Sequence, residues 1–153
     1  MAGIRSRKLD LIFKVIVCVL LVALIGGVTF AIVKTVKNEK TKEISFLSYE
    51  VGGLDETGAT VQDKASVRLK DYITTDGLTV KIDEKATVTY KVYYYDTDKN
   101  FVSVTDALST DFAETIPETA KYAKILITPT DDNDISLFEI RGYAKQLTVT
   151  VNK

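Results

Sequence analysis

Residues 86–96 read ATVTYKVYYYD. In an extended chain successive side chains point to opposite faces, so Val88, Tyr90, Val92 and Tyr94 share one side and Thr89, Lys91, Tyr93 and Tyr95 the other. β-branched and aromatic residues dominate the run, as a pleated, half-buried surface requires. The first set reads as core. The same two-residue period recurs on either side: Val67, Leu69 and Ile73 among Arg68, Lys70 and Tyr72; Leu78, Val80 and Ile82 among Thr79, Lys81 and Asp83; Leu147, Val149 and Val151 among Gln146, Thr148 and Thr150. Strands are predicted at 44–51, 66–73, 78–83, 86–96, 101–104, a short piece near Phe112, 123–128, 136–141 and 147–152. Turn chemistry separates them at Gly52 and Gly53, at Thr75-Asp76-Gly77, at 96–100, at Pro117 and at 129–134. About eight short strands punctuated in this way predict an all-β fold for 44–153, an antiparallel β-sandwich or jelly roll of two layers.

Ahead of this body stands a stretch of a different kind. Residues 15–33, VIVCVLLVALIGGVTFAIV, carry no charge. As a helix they would reach roughly 28 Å, close to the ~30 Å hydrocarbon core of a bilayer. The run exceeds the usual apolar core of a cleaved signal peptide, so one N-terminal transmembrane helix, retained as a signal-anchor, is expected. Residues 1–14 then form a short basic head and 34–43 a polar stalk. Arg5, Arg7, Lys8 and Lys14 on one flank balance Lys34, Lys37, Lys40 and Lys42 on the other, so the positive-inside rule ties. The shortness of the head favours a cytoplasmic N-terminus with the β-domain outside the cell membrane. Ala23, Gly27 and Ala31 recur every four residues and would let two copies of the helix approach closely, although small residues are common in such helices.

Composition removes whole classes of function. There is no histidine, which excludes Ser-His-Asp and Cys-His nucleophilic machinery and histidine-based zinc sites within this chain. The single cysteine, Cys18, lies in the apolar run, so the β-domain has no thiol for a disulfide or thiolate metal site. Residues 44–153 hold twelve Lys/Arg against eighteen Asp/Glu, a balance of −6 that argues against nucleic acid as partner.

Four segments in fixed order resemble a known kind of module: GGLDETGA at 52–59, SVRLKDYI at 66–73, VYYYD at 92–96 followed by DKNFVS at 98–103, and IPETAKYAKI at 116–125. Over residues 44–128 this order resembles the carbohydrate-binding-like (galactose-binding-like) jelly-roll modules of Gram-positive surface proteins, secreted glycosidases and phage tail proteins. The resemblance implies a non-catalytic β-sandwich, exported and used for adhesion or sugar binding, and carries over no catalytic residue. Two features depart from the pattern. The chain has no tryptophan, the usual sugar-stacking platform, and the module stands alone on its anchor.

Three constellations are candidates for contact with a ligand. Tyr93 and Tyr95 beside Lys91 would make an exposed aromatic surface for a sugar ring or a surface protein; the plainer alternative is that they pack beneath a loop. Asp131, Asp132 and Asp134 would gather a structural calcium, against the plainer reading of a solvated turn, and no other cofactor is expected. Residues 96–100 open with oxygen donors at alternate positions, but Phe101 and Ala107 stand where an EF-hand needs glycine and glutamate, so a hairpin turn is predicted. Arg68 and Lys70 read as solvent-facing charges that discourage edge pairing. The function expected is a single-pass, membrane-anchored module outside the cell, without catalytic activity, binding a glycan or protein. The alternative is a structural or assembly component of a larger envelope or secretion complex with no sugar ligand.

Overall fold

The runs Val88–Tyr95 and Tyr122–Pro129 pair antiparallel over eight residues each, and the rest of the fold is assembled around that pair in the computed structural model, which describes residues 40–131 and 133–153. In chain order the strands are β1 Thr41–Glu43, β2 Tyr49–Val51, β3 Gly53–Leu54, β4 Thr60–Val61, β5 Val67–Leu69, β6 Ile73–Thr74, β7 Thr79–Ile82, β8 Val88–Tyr95, β9 Phe101–Val104, β10 Tyr122–Pro129 and β11 Leu147–Asn152. One short helix, α1 (Ile140–Ala144), and one 3-10 turn (Phe46–Ser48) accompany them. The larger sheet runs β2-β5-β10-β8-β9, with β6 also on β10; the smaller runs β1-β11-β7; β3 and β4 form a separate hairpin. All pairings are antiparallel. Thr41–Lys153 is one folded unit of an all-β kind.

Alternation places the core. Val88, Tyr90, Val92 and Tyr94 point inward with Ala123, Ile125 and Ile127, and they meet Val80, Leu147, Val149 and Val151 of the smaller sheet in a single cluster. Each fully buried aliphatic side chain stabilises the fold by about 1.5–3 kcal/mol. The bounds of 101–104 and 147–152 are those the sequence predicts, and 147–152 alternates as expected, burying Leu147, Val149 and Val151.

Elsewhere the chain departs from expectation for local reasons. The predicted strand 44–51 is interrupted: Ser45 accepts from the Leu47 amide at 3.3 Å and nucleates the 3-10 turn, so β1 joins the smaller sheet and β2 the larger. Pairing of Thr41–Glu43 with β11 also starts the folded unit three residues ahead of Ile44. The stretch 136–141 is not a strand. Ser136 donates from its amide and hydroxyl to the Glu139 carboxylate at 2.8 and 2.7 Å, closing the turn that leads into α1. Near Phe112 there is no strand; the Phe112 amide bonds to the Val80 carbonyl at 2.8 Å. The transmembrane segment 15–33 lies outside the described residues, and no helix among the described residues is long and apolar enough to cross a membrane.

Candidate ligand-binding face

The larger sheet has a second face, opposite the core, built in register from polar and aromatic residues. Glu50 lies opposite Arg68, Arg68 opposite Leu126 and Leu126 opposite Lys91; one step along, Lys124 faces Tyr93 and Tyr122 faces Tyr95. The β3–β4 hairpin lies over this face. Its turn is held by Asp55, whose carboxylate accepts from the Thr57 hydroxyl and from the amides of Thr57 and Ala59 at 2.7–3.0 Å, contacts that hold its pKa below the ordinary carboxylate range.

The hairpin covers the two tyrosines expected to be exposed. Tyr93 and Tyr95 are 4% and 2% exposed, and their hydroxyls donate to the carbonyls of Leu54 at 3.1 Å and Gly58 at 2.7 Å. They and Lys91, itself half-buried, therefore do not make the open platform that alternation alone suggests. Burial, with Asp55 and Glu56 adding to it, raises the Tyr93 pKa, and burial is also the main cause of the rise at Tyr95, so both stay protonated donors at neutral pH. Gly58 is suited to this contact: it sits at φ +71°, and a Cβ there would lie 2.7 Å from the Tyr95 hydroxyl and the Phe101 ring.

Arg68 fastens the base of the hairpin and is not a solvent-facing charge. Its side chain is 15% exposed; its guanidinium pairs with Glu50 at 2.9 Å and donates to the carbonyls of Gly53 at 2.7 Å and Val61 at 3.2 Å. Lys124, 5% exposed, donates to the Lys70 carbonyl at 2.9 Å and sits 4.7 Å from the centre of the Tyr72 ring. Burial lowers its pKa, and the like charge of Arg68 adds to the effect.

What remains open on this face is its edge. Tyr72 and Tyr122 are half-buried, stand 6.2 Å apart and join Tyr95, 4.8 Å from Tyr72 in an edge-to-face arrangement. Phe101, also half-buried, completes the group 6.2 Å from Tyr95. Lys99 reaches over both outer rings, its ammonium 5.1 Å from Tyr72 and 5.9 Å from Tyr122. It stands on the hairpin turn predicted at 96–100. There Asp96 accepts from the amides of Asp98 and Asn100 at 2.8 and 2.9 Å, and Lys99 takes φ +66°. Among the described residues no carboxylate lies within ion-pair distance of Lys99. Alternation could have pointed to Tyr122, Lys124 and Leu126 as partners of the tyrosine face, since they share one parity. The approach of Tyr72 and Lys99 depends on strand order and carried no sequence signal.

The acidic loop is divided among other partners. Asp131 accepts from the Asn133 amide group at 3.1 Å, Asp134 lies 3.8 Å from Lys64, and Asp132 lies outside the described residues. No group of three or more His, Cys, Asp or Glu able to hold a metal occurs among the described residues. Ala23, Gly27 and Ala31 also lie outside them. Comparison of the chain with protein-family models, with curated proteins and with solved structures finds no match.

Proposed function

We propose that this chain is a single-pass membrane protein whose β-sandwich, of the jelly-roll kind, stands outside the cell and binds a glycan or a protein there without catalysing a reaction. Residues 15–33 are the tether, with the N-terminus in the cytoplasm. The observation that carries the reading is the aromatic edge: Tyr72 and Tyr122, half-buried, with Lys99 held over both rings. An apolar ring face with a polar tip suits the face of a sugar or an aromatic side chain, and an ammonium with no carboxylate partner among the described residues suits an anionic group on the same ligand. Burial of Tyr93 and Tyr95 moves the contact surface from the middle of the sheet to this edge. Tyr95 is the floor against which Tyr72 packs.

The test is binding of the full chain, in detergent or nanodiscs, to arrays of bacterial surface polysaccharides. Tyr72→Ala and Lys99→Ala should each weaken the strongest signal by about fivefold to tenfold, the effect of roughly 1–1.4 kcal/mol, while circular dichroism stays unchanged. Wild-type protein that binds no glycan, yet captures a surface protein lost on Tyr72→Ala, would place the ligand among proteins. Binding indifferent to both substitutions would overturn the site.

A further inference from the structure

Of the large apolar side chains left in water, Leu47 and Leu137 share one groove and Phe138 follows Leu137 in the chain. Leu47, Leu137 and Phe138 are 70%, 78% and 95% exposed. Leu47 and Leu137 line a groove of about 160 Å³ with Phe46 and Ile140, and the charged residues in its wall are Lys70 and Arg141, with no carboxylate among them. Each tip stands on a turn closed by side-chain hydrogen bonds: Ser45 accepts from the Leu47 amide, and Ser136 donates to the Glu139 carboxylate across Leu137 and Phe138. The cations sit behind the tips. Arg141 lies 5.1 Å from the Phe46 ring, and the Lys70 ammonium donates to the Leu47 carbonyl at 3.1 Å.

We propose that this tip docks on the surface of an anionic bilayer, with Leu47, Leu137 and Phe138 entering the boundary between headgroups and acyl chains and Lys70 and Arg141 meeting lipid phosphates. Apolar side chains seated at that boundary, backed by cations whose stems run along apolar surface, are the arrangement by which interfacial segments hold to anionic membranes. Charge favours lipid over a second copy, because a two-fold contact through this tip would set Lys70 and Arg141 against their own counterparts in a domain that is otherwise acidic. Chain length permits it. Residues 34–40 span at most about 25 Å, so a bilayer crossed by 15–33 stays near the domain. The inference thus rests on the tether proposed above.

The chain contains no tryptophan, so Phe138→Trp gives the full-length protein a single indole. In vesicles of phosphatidylcholine and phosphatidylserine carrying brominated acyl chains, that indole should lose about half its fluorescence or more, having entered ~5–10 Å into the interface. Val61→Trp, on the hairpin, should be unaffected. Flotation of the same sample separates the two ideas: protein that floats while the indole of Phe138→Trp stays unquenched overturns the docking and leaves the tether, whereas protein that does not float overturns the tether and the docking with it. Equal quenching without phosphatidylserine overturns the role given to Lys70 and Arg141. Self-association abolished by Phe138→Asp, without quenching, assigns the tip to a second copy instead.

Discussion

Arg68 occupies a strand position whose alternation reads as outward and wet, yet its guanidinium joins three backbone segments at once: Glu50 on β2, Gly53 on β3 and Val61 on β4. Truncating it leaves the carbonyls of buried Gly53 and exposed Val61 without their donor and Glu50 without its cation. Hydrogen bonds involving a charged group contribute about 1.5–3 kcal/mol, so Arg68→Ala should lower the unfolding free energy by about 2–3 kcal/mol. Urea denaturation followed by circular dichroism reads this as a lower midpoint at constant slope. Glu50→Gln should cost less than about 1 kcal/mol, because the Glu50 side chain is 39% exposed and Arg68 keeps its two carbonyl partners. Equal losses for the two variants would mean that the ion pair, and not the fastening of the hairpin, is what Arg68 supplies.

The hairpin β3–β4 and the helix α1 are, with β1, elements that sequence patterning misses, and all are short. β3 and β4 have two residues each, too few for a two-residue period to register, so patterning marks a turn at Gly52 and Gly53 and no strands, although the segment carries the cover of the tyrosine face. The segment 136–141 is predicted as a strand, whereas Ser136 and Glu139, three apart, close the turn that precedes α1. The long strands were legible because alternation persists: β8 and β10 bury one parity so completely that Val92 and Ile125 are 0% exposed. The sides assigned to Tyr93 and Tyr95 are also right. What alternation cannot say is which other segment lies on top. Gly142, in the middle of α1, meets open space where a Cβ would be added. Gly142→Ala should therefore stabilise the domain by about 0.5–1 kcal/mol through helix propensity and a less disordered unfolded chain. A thermal midpoint raised by a few degrees is the expected reading, and a lowered one would show that α1 is not helical at that position.

At the scale of the whole molecule the chain is divided by composition into an uncharged run and an acidic body. Residues 15–33 have no charge, and residues 44–153 carry eighteen acids against twelve bases. The body has a core of its own, with both sheets contributing to one cluster, and on the outer face of the larger sheet the hairpin covers Tyr93 and Tyr95 and leaves the Tyr72–Tyr122 edge half-buried. The proposed binding requires the aromatic edge to face the outside of the cell. The direct test is to add protease to intact cells expressing the full chain with an N-terminal tag, and then to separate membranes from the aqueous fraction. The account predicts a tagged fragment of about 40 residues left in the membranes after cleavage within the lysine-bearing stretch 34–40, ahead of β1. Full-length protein recovered in the aqueous fraction with residues 1–33 intact, or a β-domain protected until the cells are lysed, would contradict it.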